Sequence, residues 1–430
     1  MAYQPVGVIE VRIWNMTVGA IVFDDKSNLC AFEYSLEFLS QNLEIAPLQV
    51  PAGRRVWTFP TLSVETFRRL PAVFADSLPD DFGNALVDAE LARQGVQANE
   101  VTSLDRLAYL GRRGIGALEY RPARGDLTQK ATAVEISELV IAARSALRGR
   151  FDGDEDTQIA LTHLIQVGTS AGGARAKAVI AWNPATNEVR SGQVDAPAGF
   201  EQWLIKLDLV DTVQPGHGYG YGRIEYAYHL MARSAGIAMS DCRLREESGR
   251  AHFMTRRFDR IADDKVHIQT LCAMGHLDYR QPGAHSYAQY LQVIDRLGLG
   301  DEALEEGFRR MVFNLLAANF DDHTKNFSFL MTRDGSWGLA PAYDVTHSYN
   351  AQGRWANRHQ MSVNGKFADI TMLDIAEVAD RFMVPGWRDI VAQVQEAVRD
   401  WPNFAQQAGV DQQRAEAVAS DIALLAPLAR

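Results

Sequence analysis

NFDDHTKNFSFLMTRDGSWGLAPAYD, residues 319–344, is the stretch from which the rest of the chain can be read. Asp321 lies five positions before Asn326, a turn-bearing segment follows, and a further acid, Asp344, closes the stretch. Phosphoryl transfer needs this combination of groups. An Asp orients a hydroxyl and accepts its proton, while an Asn and another Asp give hard oxygen ligands to the Mg²⁺ that bridges nucleotide phosphates. An isolated D-x-x-x-x-N is more commonly an acidic surface turn, so the reading depends on what surrounds it.

The surroundings are informative. Phe327, Phe329 and Met331 alternate with Ser328 and Leu330, Arg333-Asp334-Gly335-Ser336 carries turn chemistry, and Trp337 to Leu339 begins a return strand. Such a hairpin brings Asn326 and Asp344 together from its two ends. Before it, Leu304, Phe308, Met311, Val312, Leu315 and Leu316 recur at helical spacing over Glu302 to Asn319. A buried helix feeding a catalytic loop is the expected arrangement.

With 430 residues the chain exceeds what one core usually serves, so two or three lobes are expected. Its net charge of −11 argues against a broad non-specific nucleic-acid surface. Cys30, Cys242 and Cys272 are few, odd in number and without C-x-x-C spacing, which signals neither a disulfide framework nor a cysteine zinc site. The N-terminus lacks a signal-peptide pattern and no window approaches a membrane span, so a cytoplasmic protein without membrane attachment is expected.

Read from the N-terminus, Val6 to Trp14 and Val18 to Phe23 are strands of a small β module, and Asn84 to Gln94 and Leu104 to Leu110 are helices. Asp76, Asp80 and Asp81 read as solvated turn acids. Gly111, Gly114 and Gly116 lack the strand and helix that a dinucleotide fingerprint requires, so GRRGIGALEYRPA (111–123) is taken as a packing turn and a strand. A helix over Ala133 to Leu147 precedes a break at Gly149 to Gly153, the expected module boundary. Gly168 to Ala174 is a small-residue turn that leads through Lys177 into a strand, and it can bring backbone N–H groups close to phosphate oxygens or serve as an ordinary flexible hairpin.

Lys206 sits among apolar neighbours in the strand Trp203 to Asp208, where an ammonium needs a phosphate or a carboxylate. Glu225, near the start of the helix Arg223 to Ser234, is a candidate ion-pair partner of the kind that protein kinases use. Ala251 to Ile261 reads as a strand passing between lobes, with Phe258 near a base and Asp259 meeting a ribose or a neighbouring basic residue. The histidines show no metal-ligand spacing. Ser348 to Phe367 is polar and follows Asp344 closely, as an activation-segment-like loop or a recognition surface.

In chain order these elements resemble the HipA family, serine/threonine protein kinases that serve as toxins of bacterial toxin–antitoxin pairs. The resemblance runs through GRRGIGALEYRPA, SAGGARAK, WLIKLD, RRFDR, DDHTKNFSF and LAPAYD, nearly the whole chain, and the pair D-x-H-x-K-N-F and P-x-Y-D is its most specific part. It implies Asp321 as catalytic base and Asn326 and Asp344 as Mg²⁺ ligands. It implies Lys206 on the ATP phosphates with Glu225 behind it, and Arg256 to Phe258 as hinge, with Asp259 and Lys325 as further nucleotide contacts. Ser170, Ala171, Gly172, Gly173 and Lys177 would form the phosphate loop, with Ser170 as an autophosphorylation site. Here that loop carries an extra glycine and an arginine compared with the family pattern.

The fold so implied is α+β and two-lobed, protein-kinase-like, with a β-rich N-terminal module and a mostly helical C-terminal lobe, divided at 1–150, 151–260 and 261–430. The implied partners are a HipB-like helix-turn-helix antitoxin, DNA only through that antitoxin, and a protein substrate of the aminoacyl-tRNA synthetase or translation-factor kind. A small-molecule or lipid kinase and a catalytically idle co-repressor are the alternatives.

Overall fold

The computed structural model describes residues 3–24, 26–79, 81–93, 95–97, 100–124, 135–147, 176–192, 198–208, 220–261, 264–353 and 355–425. The chain forms two compact units. The first comprises 1–219, 245–268 and 331–335, and the second 220–244, 269–330 and 336–430.

The first unit is β-rich. β1 (Val8–Ile13), β2 (Met16–Asp24), β3 (Leu29–Tyr34), β4 (Val56–Trp57) and β5 (Leu118–Arg121) form an antiparallel sheet in the order β4-β3-β2-β1-β5. The two-residue period of a strand explains the sidedness of β1: Ile9, Val11 and Ile13 are fully buried, whereas Val8 faces out. Helices α1 (Asp81–Arg93) and α2 (Ser103–Leu110) precede β5, and α2 starts at a capping box in which Thr102 and Asp105 satisfy each other's backbone N–H groups.

The expected packing turn is borne out in detail. The Gly116 N–H donates to Asp259 Oδ2 at 2.7 Å, and the carbonyls of Gly114 and Gly116 both accept from Arg260 Nη atoms. Gly116 has a φ of 80°, and a Cβ there would come within 2.7 Å of Ile268 Cγ2. Only glycine fits this approach.

A second sheet runs β7-β6-β8-β10-β9, built from β6 (Lys177–Trp182), β7 (Val189–Ser191), β8 (Glu201–Lys206), β9 (Cys242–Glu247, along which the chain passes into the first unit at Arg245) and β10 (Arg250–Arg256). Helix α3 (Ile136–Leu147) presses Ile136, Leu139, Val140 and Ala143 onto Ala178, Ile180, Trp203, Ile205 and Met254. Each large side chain buried in this way contributes about 1.5–3 kcal/mol. The strand expected over 251–261 ends at Arg256, and the chain stays in this unit through Ile268, because the buried Asp259 cluster ties the turn after β10 to Gly116.

The second unit is mostly helical: α4 (Tyr221–Ser234), α5 (Tyr287–Arg296), α6 (Asp301–Leu316), α7 (Met372–Arg381), α8 (Trp387–Arg399), α9 (Trp401–Gln407) and α10 (Gln412–Leu425). α6 packs on α5 and α8, and α4 packs on α8 and α9. Gly307 lets α5 and α6 approach closely, since a Cβ there would stand 2.6 Å from Ile294 Cδ1. The expected hairpin follows α6 as β11 (Ser328–Met331) and β12 (Trp337–Leu339). Among the described residues no helix is long and apolar enough to cross a membrane.

Candidate active site

The chain leaves α6 through Ala318, whose φ of 52° is left-handed. Asn319 Nδ2 then donates to Asn314 Oδ1, on the last turn of α6, at 2.8 Å. Ser348 Oγ donates to Asn319 Oδ1 at 3.1 Å and accepts from the backbone N–H groups of Phe320 and Asp321 at 2.7 and 2.9 Å. Asn326 Nδ2 closes the loop by donating to the Asp321 carbonyl at 2.7 Å.

Both backbone polar groups of Asp321 are thus held, while its side chain remains 58% exposed. A carboxylate on a fixed backbone with an open face is what a general base requires, because it can meet a hydroxyl without first being ordered. His323 Nε2 lies 3.6 Å from Asp321 Oδ1.

Asn326 lies in a short 3₁₀ turn, Thr324–Asn326. One of its two amide N–H donors is committed to the Asp321 carbonyl, and its Oδ1, an acceptor only, is the atom able to serve as a hard-oxygen ligand. Asp344 stands beyond the return strand with a φ of 54°. Aspartate tolerates the left-handed region better than most residues, but the conformation persists only where neighbours enforce it.

Those neighbours are identifiable. Tyr343 Oη donates to the Lys325 carbonyl at 2.6 Å and lies 2.5 Å from Ser328 Oγ, which ties the second motif to the first. The Ala342 N–H donates to the Ala238 carbonyl at 2.8 Å. The buried Arg310, paired with Glu306, donates from Nη2 to the Ala340 carbonyl at 2.9 Å. Asp321, Asn326 and Asp344 consequently line one concavity, together with Asp322 and Arg310.

Among the described residues there is no group of three or more His, Cys, Asp and Glu side chains placed to hold a metal. An amide oxygen beside a carboxylate is nevertheless a hard-oxygen set, and magnesium commonly takes only one or two carboxylates from protein and completes its shell with phosphates and water. The donor chemistry therefore fits magnesium and does not fit a soft transition metal.

In the first unit the structure brings Lys177 and Lys206 together. They are directly opposed on β6 and β8, and Phe253 on β10 continues the row. Both lysines are buried, and Lys206 Nζ lies 5.6 Å from the centre of the Phe253 ring. Directly opposed residues share a sheet face, so two ammonium groups are concentrated on one side of the sheet.

Asp259 takes the other course open to it in the sequence. Its carboxylate is buried and bound by Arg257, Arg260 and the Gly116 N–H, so it meets neighbouring basic residues. Burial pushes this carboxyl upward, but the guanidinium groups of Arg257 and Arg260 outweigh burial and hold it well below the usual carboxylate range. A depressed folded-state value contributes stability that is complete above the unfolded value of about 3.9 and is lost as pH falls through the folded value. This contribution of Asp259 is expected to be flat above about pH 5 and to decline in acid. Asp259→Asn should cost about 1.5–3 kcal/mol at pH 7 and reduce that acid decline, as measured by urea titration at neutral and acid pH. An unchanged acid limb in the variant would rule Asp259 out as its source.

The other expected residues are distributed as follows. Arg256 is half-exposed and 3.9 Å from Glu201, Phe258 is half-buried, and both lie in the first unit. Glu225 is buried on α4 in the second unit, where Lys325 places its ammonium 5.1 Å from the centre of the Tyr279 ring. Ser170, Ala171, Gly172 and Gly173 lie outside the described residues.

Residues 9–121 match the HipA N-terminal domain, and residues 169–427 match the HipA-like C-terminal domain. The chain belongs to the HipA family. A curated relative from Sinorhizobium fredii, named "Putative kinase Y4dM", is 25% identical over 362 residues, which covers 79% of this chain and 77% of the relative. The solved HipA of Shewanella oneidensis MR-1, in a complex with HipB and operator DNA, superposes with a TM-score of 0.63 at 15% identity, covering 97% of this chain and 95% of that one. The HipA fold, with a β-rich N-terminal region and a helical C-terminal region, is therefore shown for this chain.

Three residues of this HipA-family site escaped the reading of the sequence: Asp322, Ser348 and His359. Asp322 stands in the acidic pair of DDHTKN, and Ser348 and His359 fall in the polar segment 348–367. Their roles depend on contacts between residues 27 or more positions apart, 322 with 359 and 321 with 348, and no local pattern signals them.

Proposed function

We propose that this HipA-family chain is an ATP- and Mg²⁺-dependent serine/threonine protein kinase that acts as a cytoplasmic toxin and is restrained by a helix-turn-helix antitoxin. The observation that carries the proposal is the convergence of Asp321, Asn326 and Asp344 on one concavity, with the Asp321 backbone held at both polar groups. Asp321 orients a serine or threonine hydroxyl and takes its proton. The hydroxyl oxygen then bonds to the γ-phosphorus, and the bond from that phosphorus to the departing ADP oxygen breaks.

Asn326 and Asp344 are the residues that would hold Mg²⁺, which when bound neutralises charge on the phosphate oxygens. By family resemblance, Lys206 and Lys177 of the first unit are the candidate contacts for the ATP phosphates. Partner control is supported by the relative from Shewanella oneidensis, whose solved complex includes HipB and operator DNA. A translation-related protein as phosphate acceptor follows from family resemblance.

Incubation with γ-labelled ATP and Mg²⁺, alone and with cell extract, tests this reading. Label is expected in protein, and wild type that labels neither itself nor any extract protein would end the kinase assignment. Under the same conditions intact mass measurement should find one phosphate added to the wild type and none to Ser170→Ala. A phosphate retained by the variant would move the modification away from Ser170.

A further inference from the structure

Asp322 is absent from the chemistry above, yet it is the most enclosed carboxylate of the site. Its side chain has no exposed surface and, among the described residues, no lysine or arginine partner. It accepts from Tyr287 Oη at 2.7 Å, from His359 Nδ1 at 2.9 Å and from the Gln360 N–H at 2.6 Å. Tyr287 Oη accepts in turn from Asn314 Nδ2 at 2.9 Å. Asn314 is also where Asn319, Ser348 and the Asp321 N–H chain begins. One hydrogen-bonded circuit therefore passes from α6 through both acids of DDHTKN and returns through two points of the segment that follows Asp344. The His359 ring also stacks on Phe320, at 4.1 Å and 17° between planes, directly beside Asp321.

We propose that Asp322 is a positioning residue that clamps the 348–363 segment to the catalytic loop, so that the segment's Ser348 can hold the Asp321 backbone. The segment then acts as a release: freeing it at His359 loosens Asp321. A buried carboxylate with three donors is costly to leave half-satisfied, which makes the clamp two-state and not gradual. This inference rests on Asp321 being the base.

Hydrogen–deuterium exchange and labelled-ATP transfer on the full chain test the two ideas separately. His359→Ala is expected to speed exchange both at 357–363 and at 319–323 while the α7 and α8 amides keep their protection. It should lower the saturating transfer rate on the order of 10²-fold, the scale of a small misplacement of a catalytic group, with the KM for ATP unchanged. His359→Asn, whose amide can donate from near the Nδ1 position, should recover protection at both segments and most of the lost rate. Faster exchange confined to 357–363, or a rise in the KM for ATP parallel to the loss of rate, would overturn the clamp. Failure of the wild type to transfer phosphate would remove the kinase reading, while the exchange data would still decide whether the two segments are coupled.

Discussion

Alanine in place of Asp321 is expected to slow phosphate transfer by about 10²–10⁴, the usual contribution of a positioned general base. The size of the loss follows from what the structure spends on this one side chain. The Asp321 N–H is held by Ser348, its carbonyl by Asn326, and its carboxylate is left open to the concavity. Both tethers are backbone contacts, so they survive in the variant, and nucleotide binding should be retained. Single-turnover transfer from labelled ATP, set beside equilibrium nucleotide binding, separates the two effects. Transfer at wild-type speed would remove Asp321 as the base. Equal loss of transfer and of nucleotide affinity would instead assign it to ligand binding.

Most of the scaffold was legible because it is written in local periodicity. The alternation of Phe327, Phe329 and Met331 marked β11, the 3.6-residue spacing from Leu304 to Leu316 marked α6, and Gly111 marked the end of α2. Asp321, Asn326 and Asp344 were legible because two local motifs flank one hairpin, and the hairpin brings their ends together. What the sequence could not convey was mutual commitment between distant polar groups. Asp259 and Gly116 are 143 positions apart, and only the folded unit reveals that the carboxylate is already occupied by Arg257, Arg260 and a backbone N–H. The same holds for Asp322, which in sequence is one more acid in an acidic loop and in the structure is the buried centre of a polar network. Hydrophobic patterns repeat and so can be recognised, whereas a polar network is specified by single residues at unrelated positions.

Asp344→Ala should separate metal-dependent from metal-independent binding more sharply than any other change at the site. Asp321 and Asp344 line the same concavity, yet their backbones are held differently: Asp321 is held by two hydrogen-bonded tethers, and Asp344 is kept at a φ of 54° by the ties of Tyr343, Ala342 and Ala340 around it. Alanine fits that left-handed conformation less well than aspartate, so some local relaxation accompanies the loss of the carboxylate. On the proposed assignment one of the two Mg²⁺ ligands is then lost, so the affinity for ATP in Mg²⁺ should fall by more than about tenfold, and the transfer rate by about 10²–10³, the range seen when one stabiliser of transferring charge is removed. ATP affinity in EDTA should differ little between variant and wild type. Asp321→Ala, by contrast, should keep the Mg²⁺-dependent gain in affinity. Titrating fluorescent ATP with and without Mg²⁺ across the three proteins reads this directly. If both variants lost the magnesium-dependent gain equally, the two acids would share one role and the division of labour between base and ligand would have to be given up.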